Sequence, residues 1–268
     1  MKTAIELFQE GNLEGALELT TAAVKARPMD VAARSLFCEL LCFSGDLERA
    51  DRQLDAVLKT EPKALPGVSL MRHLIRSEVS RNEVYELGRV PDFLAVPTEA
   101  QQKRLQSLIA IREGRGSIAA QLISEASELE AELKGSCDGR PFEGFCDMDD
   151  LLGPVIEVFT ATGSYYWVDA SQIVSLEFSP VEHITDMMWR AASIETVGSL
   201  TGRVHLPVLY HGSSKAANPL VKIGRSSEWV QPDEQSPVRG VGRREYLIGE
   251  DPVTILDIST LRFVQDQQ

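Results

Sequence analysis

The chain has 268 residues, a formal net charge of −13, 43% apolar residues and four cysteines. This composition predicts a folded protein of one large domain or two ordinary ones, and its acidity argues against generic binding to nucleic-acid phosphates. No run of about 18 apolar residues suggests a membrane-spanning helix. The first residues, MKTAIELFQEG, lack a signal-peptide core, and the cysteines are too few for a disulfide scaffold, so we expect a cytoplasmic protein.

Residues 1–134 predict a domain of paired helices with an internal repeat. Gly11 and Gly45 lie 34 residues apart, which is the period of the tetratricopeptide repeat (TPR). The positions that correspond at this offset are Gly11 with Gly45, Leu13 with Leu47, Ala16 with Ala50, Ala23 with Val57, Val24 with Leu58, and Pro28 with Pro62. In this pattern the glycine closes the turn between two helices, the small residues allow close packing, and the proline ends the second helix.

A weaker third copy of the repeat follows at Gly114, Ala119 and Ala126. It lacks the final proline, so its second helix is expected to continue to about Lys134. Between the regular copies and this one, residues 66–77 and 82–88 predict a shorter, irregular helix pair. The sequence therefore predicts about four helix pairs, two of them regular.

The second half of the chain has turn-rich and strand-like sequence patterns in place of helical ones. Residues 135–150 are rich in turn formers and acidic residues and predict a linker, with Cys137 and Cys146 as ordinary thiols. Short strand-like runs then predict an antiparallel β-rich domain over 151–268. The predicted strands are 155–160, 165–168, 174–178, 192–197, 204–206, 244–248 and 253–256, with one helical element at 184–190. The expected fold is α+β, a TPR-like helical repeat domain followed by a mostly antiparallel β-rich domain.

No motif for nucleophilic, metal-dependent or nucleotide-dependent catalysis is visible in the sequence. His205 and His211 have no further zinc ligands near them in the chain. Cys38 and Cys42 share a helix face, but two thiols without two more ligands do not make a structural zinc site, and Cys38 falls where a small packing residue is expected. His205, His211 and Cys38 are therefore interpreted as structural. We predict no catalytic, cofactor-binding or metal-binding residue, and no cofactor.

Two charged clusters are likewise given structural interpretations. Asp147, Asp149 and Asp150 lack the register of a calcium-binding loop and are predicted to cap a helix and to place charge in its first turn. Arg243 and Arg244 lie at the start of the predicted strand 244–248 and are interpreted as a charged strand edge.

Stacked helix pairs form a groove that is lined by the first helix of each pair, and this groove is the best candidate for a binding surface. By the repeat register, the predicted partner-binding residues are Ile5, Phe8, Gln9, Glu39, Cys42, Phe43, Leu108, Ile111 and Arg112. Such a lining suits an amphipathic helix or an extended peptide. On this interpretation, charged substitutions at Phe8 and Phe43 should abolish binding and leave the fold intact. The alternative is that these residues pack against the β-rich domain.

Several sequence blocks resemble the ImpE/TagJ (SciE-type) family of type VI secretion system accessory proteins. The blocks are 8–16, 149–159, 162–168, 173–178, 187–191, 204–210 and 240–244. The similarity extends over nearly the whole chain, and 135–147 departs most from the family pattern.

This resemblance implies a cytoplasmic, non-enzymatic adaptor. Members of the family are thought to bind a helix of the small sheath subunit and to link the contractile sheath to the AAA+ ATPase that recycles it. No catalytic motif is carried over from the family.

Two other functions stay open from the residues alone. One is an enzyme whose β-rich domain hides a pocket, for example around His205, His211 and Asp186. The other is a self-assembling scaffold that uses exposed β-strand edges. A groove predicts an apolar concavity on the helical half, an enzyme predicts a compact pocket of titratable groups, and a scaffold predicts a large symmetric contact.

Overall fold

The computed structural model describes residues 2–198 and 200–265, in which seven helices precede the first β-strand. The helices are α1 Ala4–Gln9, α2 Leu13–Ala26, α3 Val31–Phe43, α4 Leu47–Thr60, α5 Leu65–Leu87, α6 Glu99–Arg112 and α7 Gly116–Leu129. Three antiparallel pairs form, α1 with α2, α3 with α4, and α6 with α7, and α5 lies between the second and third pair. The predicted TPR-like helical domain is confirmed.

Side-chain caps set the start of most of these helices. Asn12, Asp30 and Asp46 each accept a hydrogen bond from the backbone N–H three residues later, at the start of α2, α3 and α4. Thr3 and Thr98 form capping boxes at the start of α1 and α6. Each cap satisfies a backbone donor that has no partner within the helix.

The turn inside each helix pair is closed by a glycine with positive φ. Gly11, Gly45 and Gly114 have φ of 90°, 79° and 69°, a left-handed conformation that glycine adopts without steric cost. The small residues of the pattern, Ala16 and Ala50 among them, are fully buried where the paired helices meet. The glycines and small residues of the 34-residue repeat therefore have the roles that the sequence predicted.

A substitution pair tests the role of these glycines. Gly45→Ala should lower the free energy of unfolding by about 1–2 kcal/mol, because alanine is strained at this φ, and its Cβ would lie 3.0 Å from Ser214 Oγ. Gly67→Ala, in the first turn of α5 and in open space, should instead be neutral or stabilise by up to about 1 kcal/mol. Urea unfolding of both variants measures the two effects, and equal destabilisation would contradict the assignment.

Helix α5 is one continuous helix of 23 residues. The prediction of an irregular pair at 66–77 and 82–88 was wrong, because no glycine or proline between Ser77 and Asn82 interrupts the helix. The helix ends at Gly88, which has φ of 86°. The expected four pairs are thus three pairs and one long helix. In the part of the chain that the structure describes, no helix has both the length and the apolar character to cross a bilayer.

The β half contains an eight-stranded antiparallel sheet and two smaller sheets among the described residues, and the predicted β-rich fold is confirmed. In spatial order the large sheet is β2-β1-β13-β6-β7-β8-β4-β5, and the smaller sheets are β10-β9 and β12-β11-β3. The strands are β1 Lys134–Cys137, β2 Arg140–Glu143, β3 Phe145–Asp147, β4 Val155–Thr160, β5 Tyr165–Asp169, β6 Ile173–Phe178, β7 Trp189–Thr196, β8 Thr201–Pro207, β9 Ser227–Val230, β10 Arg239–Gly242, β11 Glu245–Ile248, β12 Asp251–Thr254 and β13 Thr260–Phe263. A short helix, α8 Pro219–Lys222, lies between β8 and β9.

Residues 135–150 are not a linker, since they contain most of β1 and all of β2 and β3. Strand β1 pairs with β13 near the end of the chain, and β3 pairs with β11. Asp138 and Gly139, with φ of 50° and 80°, form the tight turn between β1 and β2. Asp-Gly is a strong hairpin signal, which the interpretation as a break overlooked. Helix α7 accordingly ends at Leu129 and does not reach Lys134.

The predicted helical element at 184–190 is shorter than expected. A single 3-10 turn covers Ile184–Met187, and Trp189 already begins β7. This strand has a buried pattern over Trp189–Ala192, so its start lacks the alternation of apolar and polar residues that marks a half-exposed strand.

Candidate functional site

Helix α5 carries much of the contact between the helical half and the β half, packing against β4 and β5. Ser77 of α5 donates a hydrogen bond of 3.1 Å to the carbonyl of Ser164 in the turn between these strands. The turns of the helix pairs also reach the β half, because Gly11 abuts Leu220 of α8 and Gly45 abuts Ser214. The two halves therefore meet along a shared buried surface.

A buried group of charged residues lies at the centre of this surface. The Glu157 carboxylate on β4 accepts two hydrogen bonds from the Arg81 guanidinium of α5, at 2.8 and 2.9 Å, and another from Arg244. Arg81 also donates to Glu78, one turn earlier on α5, at 3.2 Å. Trp189 Nε1 donates to the other oxygen of Glu78 at 2.9 Å. We call the set Glu78, Arg81, Asp147, Glu157 and Arg244 the buried ion network.

The acidic residues before β4 belong to the same region. Asp147 accepts from Arg244 at 2.6 Å and from the Tyr210 hydroxyl at 2.9 Å. Asp149 accepts from Arg239 Nε at 2.7 Å. The predictions of helix capping by these aspartates and of a charged strand edge at Arg244 were wrong, because 151–154 form turns and Arg244 is 1% exposed.

Electrostatics keep Glu157 deprotonated within the network. Burial alone would raise the pKa of Glu157, but Arg81 and Arg244 outweigh it and hold that pKa far below its usual range. Burial raises the pKa of Asp147 to about 7, with Arg244 acting in the opposite direction. Two cations and a deprotonated Glu157 thus lie in a site from which water is excluded. Such a cluster is costly to break, since removal of one member takes charge-assisted hydrogen bonds from the buried ions that remain.

One sequence signal could have located this network. Glu157 interrupts an otherwise apolar strand, and its side chain is fully buried. A carboxylate at such a position requires a cationic partner from elsewhere in the fold. Its partners lie 76 and 87 residues away in the sequence, so spacing alone gives no indication of them.

Four of the nine predicted groove residues are core residues. Phe8, Cys42, Phe43 and Leu108 are each at most 3% exposed, and Phe8 packs edge-to-face on Phe43 with ring centroids 4.9 Å apart. The expectation that charged substitutions at Phe8 and Phe43 would spare the fold is therefore corrected, because these rings hold α1 against α3.

The other five predicted residues lie in three separate places. Ile5 and Gln9 are exposed on α1, and Ile111 is half-buried on α6. Arg112 lines a shallow groove between α5 and α6 and donates to the carbonyl of Val84 at 3.2 Å. Glu39 lines a different cavity, so the nine residues do not share one surface. Their role in partner binding stays a prediction.

The cavity at Glu39 lies between α3, α4 and α5 and has a volume of about 380 Å³. We call it the α3–α5 cavity. Its lining is mostly apolar and consists of Ser35, Cys38, Glu39, Leu54, Val57, Ala64, Gly67, Val68, Leu70, Met71, Leu74 and Thr185. Thr185 comes from the 3-10 turn before β7, so the β half completes the wall. A cavity of this size and character fits side chains of another molecule.

The cysteines are free in the described structure. Cys38 is buried in α3, as predicted, and its Sγ lies 3.3 Å from the carbonyl of Ala50 on the paired helix. Cys42, which was predicted to line the groove, is buried as well. Cys137 and Cys146 are half-buried in β1 and β3, and burial raises the pKa of both thiols. Raised thiol pKa values lower the reactivity of these residues at neutral pH.

The two histidines considered for an enzyme pocket lie in different surroundings. His205 is buried in β8, opposite Ala191 of β7. His211 stacks on the Tyr85 ring of α5, with centroids 4.4 Å apart. Among residues 2–198 and 200–265, no group of three His, Cys, Asp or Glu side chains is arranged to hold a metal ion.

His211 should make stability depend on pH. Burial and the nearby Arg81 lower its pKa to about 3, whereas an unfolded histidine titrates near about 6.5. The unfolded state therefore takes up a proton first as the pH falls, and from pH 7 to pH 5 the protein should lose about 2 kcal/mol through this residue. In His211→Gln, the destabilisation relative to wild type should shrink by that amount at pH 5. Urea unfolding at both pH values measures this, and an equal difference at both would contradict it.

Comparisons with known proteins agree with this architecture. Residues 139–262 match the family model described as ImpE protein, and residues 7–74 match a tetratricopeptide repeat model. The chain is 29% identical over 260 residues to the type VI secretion system accessory component TagJ of Pseudomonas aeruginosa, covering 97% of this chain and 90% of that protein. The crystal structure of protein VPA1032 from Vibrio parahaemolyticus has a TM-score of 0.91 and 30% identity, over 98% of both chains. The helical repeats and the β half of this chain thus match these proteins along the whole length. The chain belongs to the ImpE/TagJ family.

Proposed function

We propose that this protein is an adaptor of a type VI secretion system that acts without catalysis, binds a helix of the small sheath subunit and links the contractile sheath to its AAA+ recycling ATPase. The observation that carries the proposal is the similarity to a type VI secretion system accessory component over 97% of the chain. A cytoplasmic location stays a prediction from the sequence.

The helical half supports the adaptor role. Its three helix pairs and α5 form a stack of the kind that other proteins use to bind helices and peptides by shape. The α3–α5 cavity supplies an apolar recess on this stack. Binding of a helix requires such recesses and a fitting surface, and it requires no reactive side chain.

The buried ion network supports a link between two partners. It joins α5 to β4 and to Arg244 through charge-assisted hydrogen bonds, and so fixes the orientation of the helical half on the β half. A rigid connection lets two partners that bind different halves keep a constant separation.

The direct test is binding between purified components of one secretion system. The full-length protein is titrated with the small sheath subunit and, separately, with the AAA+ ATPase, by calorimetry. We expect a stoichiometric complex with each, and a ternary complex when all three are mixed. The large sheath subunit alone serves as a control for non-specific association. Absence of binding to the small sheath subunit would overturn the proposal.

A self-assembling scaffold is the second candidate, and one observation favours it. Among the described strands, β9 pairs with β10 on one side only, and its Trp229 and Val230 are 39% and 47% exposed. An exposed apolar edge strand is a template for pairing with another chain. Light scattering of wild type and Val230→Lys distinguishes the two candidates, since a scaffold predicts a concentration-dependent oligomer that the variant loses.

A further inference from the structure

The α3–α5 cavity contains one acidic side chain, Glu39, in an otherwise mostly apolar lining. Among the described residues, its carboxylate has no hydrogen-bond or salt-bridge partner. Carboxylates on the neighbouring α4 are paired, since Arg72 contacts both Asp51 and Asp55. Glu39 is therefore a half-buried acid that lacks a cation.

The surroundings of Glu39 do not compensate for its burial. Burial raises the pKa of Glu39 to about 7, while His183 acts in the opposite direction and Asp186 adds to the increase. An unpaired carboxylate at an apolar wall gains from a cation supplied from outside, because a charged hydrogen bond there is stronger than one in open water. With Asp186 nearby and a net charge of −13 on the chain, an acidic ligand would be repelled.

We infer that the α3–α5 cavity takes an aliphatic side chain of the partner helix, and that Glu39 pairs with a lysine or arginine beside it on the same helix face. This inference rests on the proposed function, which it deepens by specifying the chemistry of the bound helix. Residues three or four positions apart lie on one face of a helix, so one aliphatic and one basic residue at that spacing reach the cavity and Glu39 together.

Gly67 offers a way to fill the cavity without disturbing the fold. It lines the cavity, and a Cβ built on it meets nothing within 4 Å. Gly67→Phe should therefore occupy the recess while α5 stays intact. Gly202→Phe is a matched control, because Gly202 on β8 is exposed and also faces open space. Glu39→Gln removes the charge alone.

The first experiment tests the chemistry of the cavity with small probes. The full-length protein, with ¹³C-methyl methionine, is titrated at pH 8 with n-hexylammonium and separately with hexanoate, and the Met71 methyl signal is followed by NMR. We expect saturable shifts with hexylammonium and about tenfold weaker binding of hexanoate. Glu39→Gln should remove this preference, and Gly67→Phe should remove both responses. Equal binding of the two probes, or no binding to wild type, would overturn the inference.

The second experiment uses the small sheath subunit. If it binds wild type, Gly67→Phe and Glu39→Gln should each weaken binding about tenfold or more, and Gly202→Phe should not. Wild-type affinity in both cavity variants would overturn the inference and leave the proposed function standing. If the subunit fails to bind wild type while hexylammonium binds as described, the proposed function falls and the chemistry of the cavity stands.

Discussion

Glu157→Gln is expected to lower the free energy of unfolding by about 3–5 kcal/mol. Glu157 accepts hydrogen bonds from Arg81 and Arg244, and all three side chains are at most 2% exposed. Because glutamine has nearly the same shape as glutamate, the loss of stability reflects the removed charge. The guanidinium groups of Arg81 and Arg244 no longer have a carboxylate between them. Urea unfolding at pH 7 measures the change.

Glu177→Gln is the matched control for this prediction. Glu177 lies on β6 and pairs with Arg262 at 3.2 Å, but both side chains are more than half exposed. Exposed ion pairs of this kind contribute little to stability, so the free energy of unfolding should change by less than about 1 kcal/mol. Similar losses of unfolding free energy in the two variants would show that burial does not determine how much Glu157 contributes to stability.

Phe8→Ala is expected to destabilise the protein by about 3–5 kcal/mol. The Phe8 ring is 1% exposed and packs edge-to-face on Phe43. Its removal takes away the ring that packs α1 on α3 and leaves a void between the two helices. Denaturant unfolding followed by circular dichroism measures this loss.

Ile5→Ala provides the comparison on the same helix. Ile5 lies on α1 but is 45% exposed, so its truncation should cost at most about 0.5 kcal/mol. If Ile5→Ala weakened binding of the small sheath subunit without changing stability, the predicted role of Ile5 would gain support. A loss of stability at Ile5 as large as that at Phe8 would contradict the packing described for α1.

The sequence predicts the local parts of this fold well, because those parts depend on neighbouring residues. The turn glycines Gly11 and Gly45 and the buried Ala16 and Ala50 repeat at a fixed offset, and the structure places them where that pattern requires. Strand β4 has the predicted bounds, since its apolar run ends at a clear turn.

The parts that were missed depend on distant residues. Strand β1 forms by pairing with β13, more than 120 residues later, and nothing local marks it apart from the Asp-Gly turn. Helix α5 buries Glu78 and Arg81 only because the β half covers them, so its pattern resembled two short helices. The burial of Phe8, Cys42, Phe43 and Leu108 was missed as well, because the repeat register gives the helix face and does not give the depth of each side chain.

The pairing of β1 with β13 has a consequence for synthesis of the chain. The helical half can fold as it leaves the ribosome, since its contacts are local. Arg81 then lacks its partner Glu157 until β4 is made, and the large sheet is incomplete until Thr260–Phe263 have been translated. Completion of the sheet is therefore delayed until more than 120 residues after β1 have been made, and a nascent chain stalled before β13 carries a folded helical stack beside an unfinished sheet.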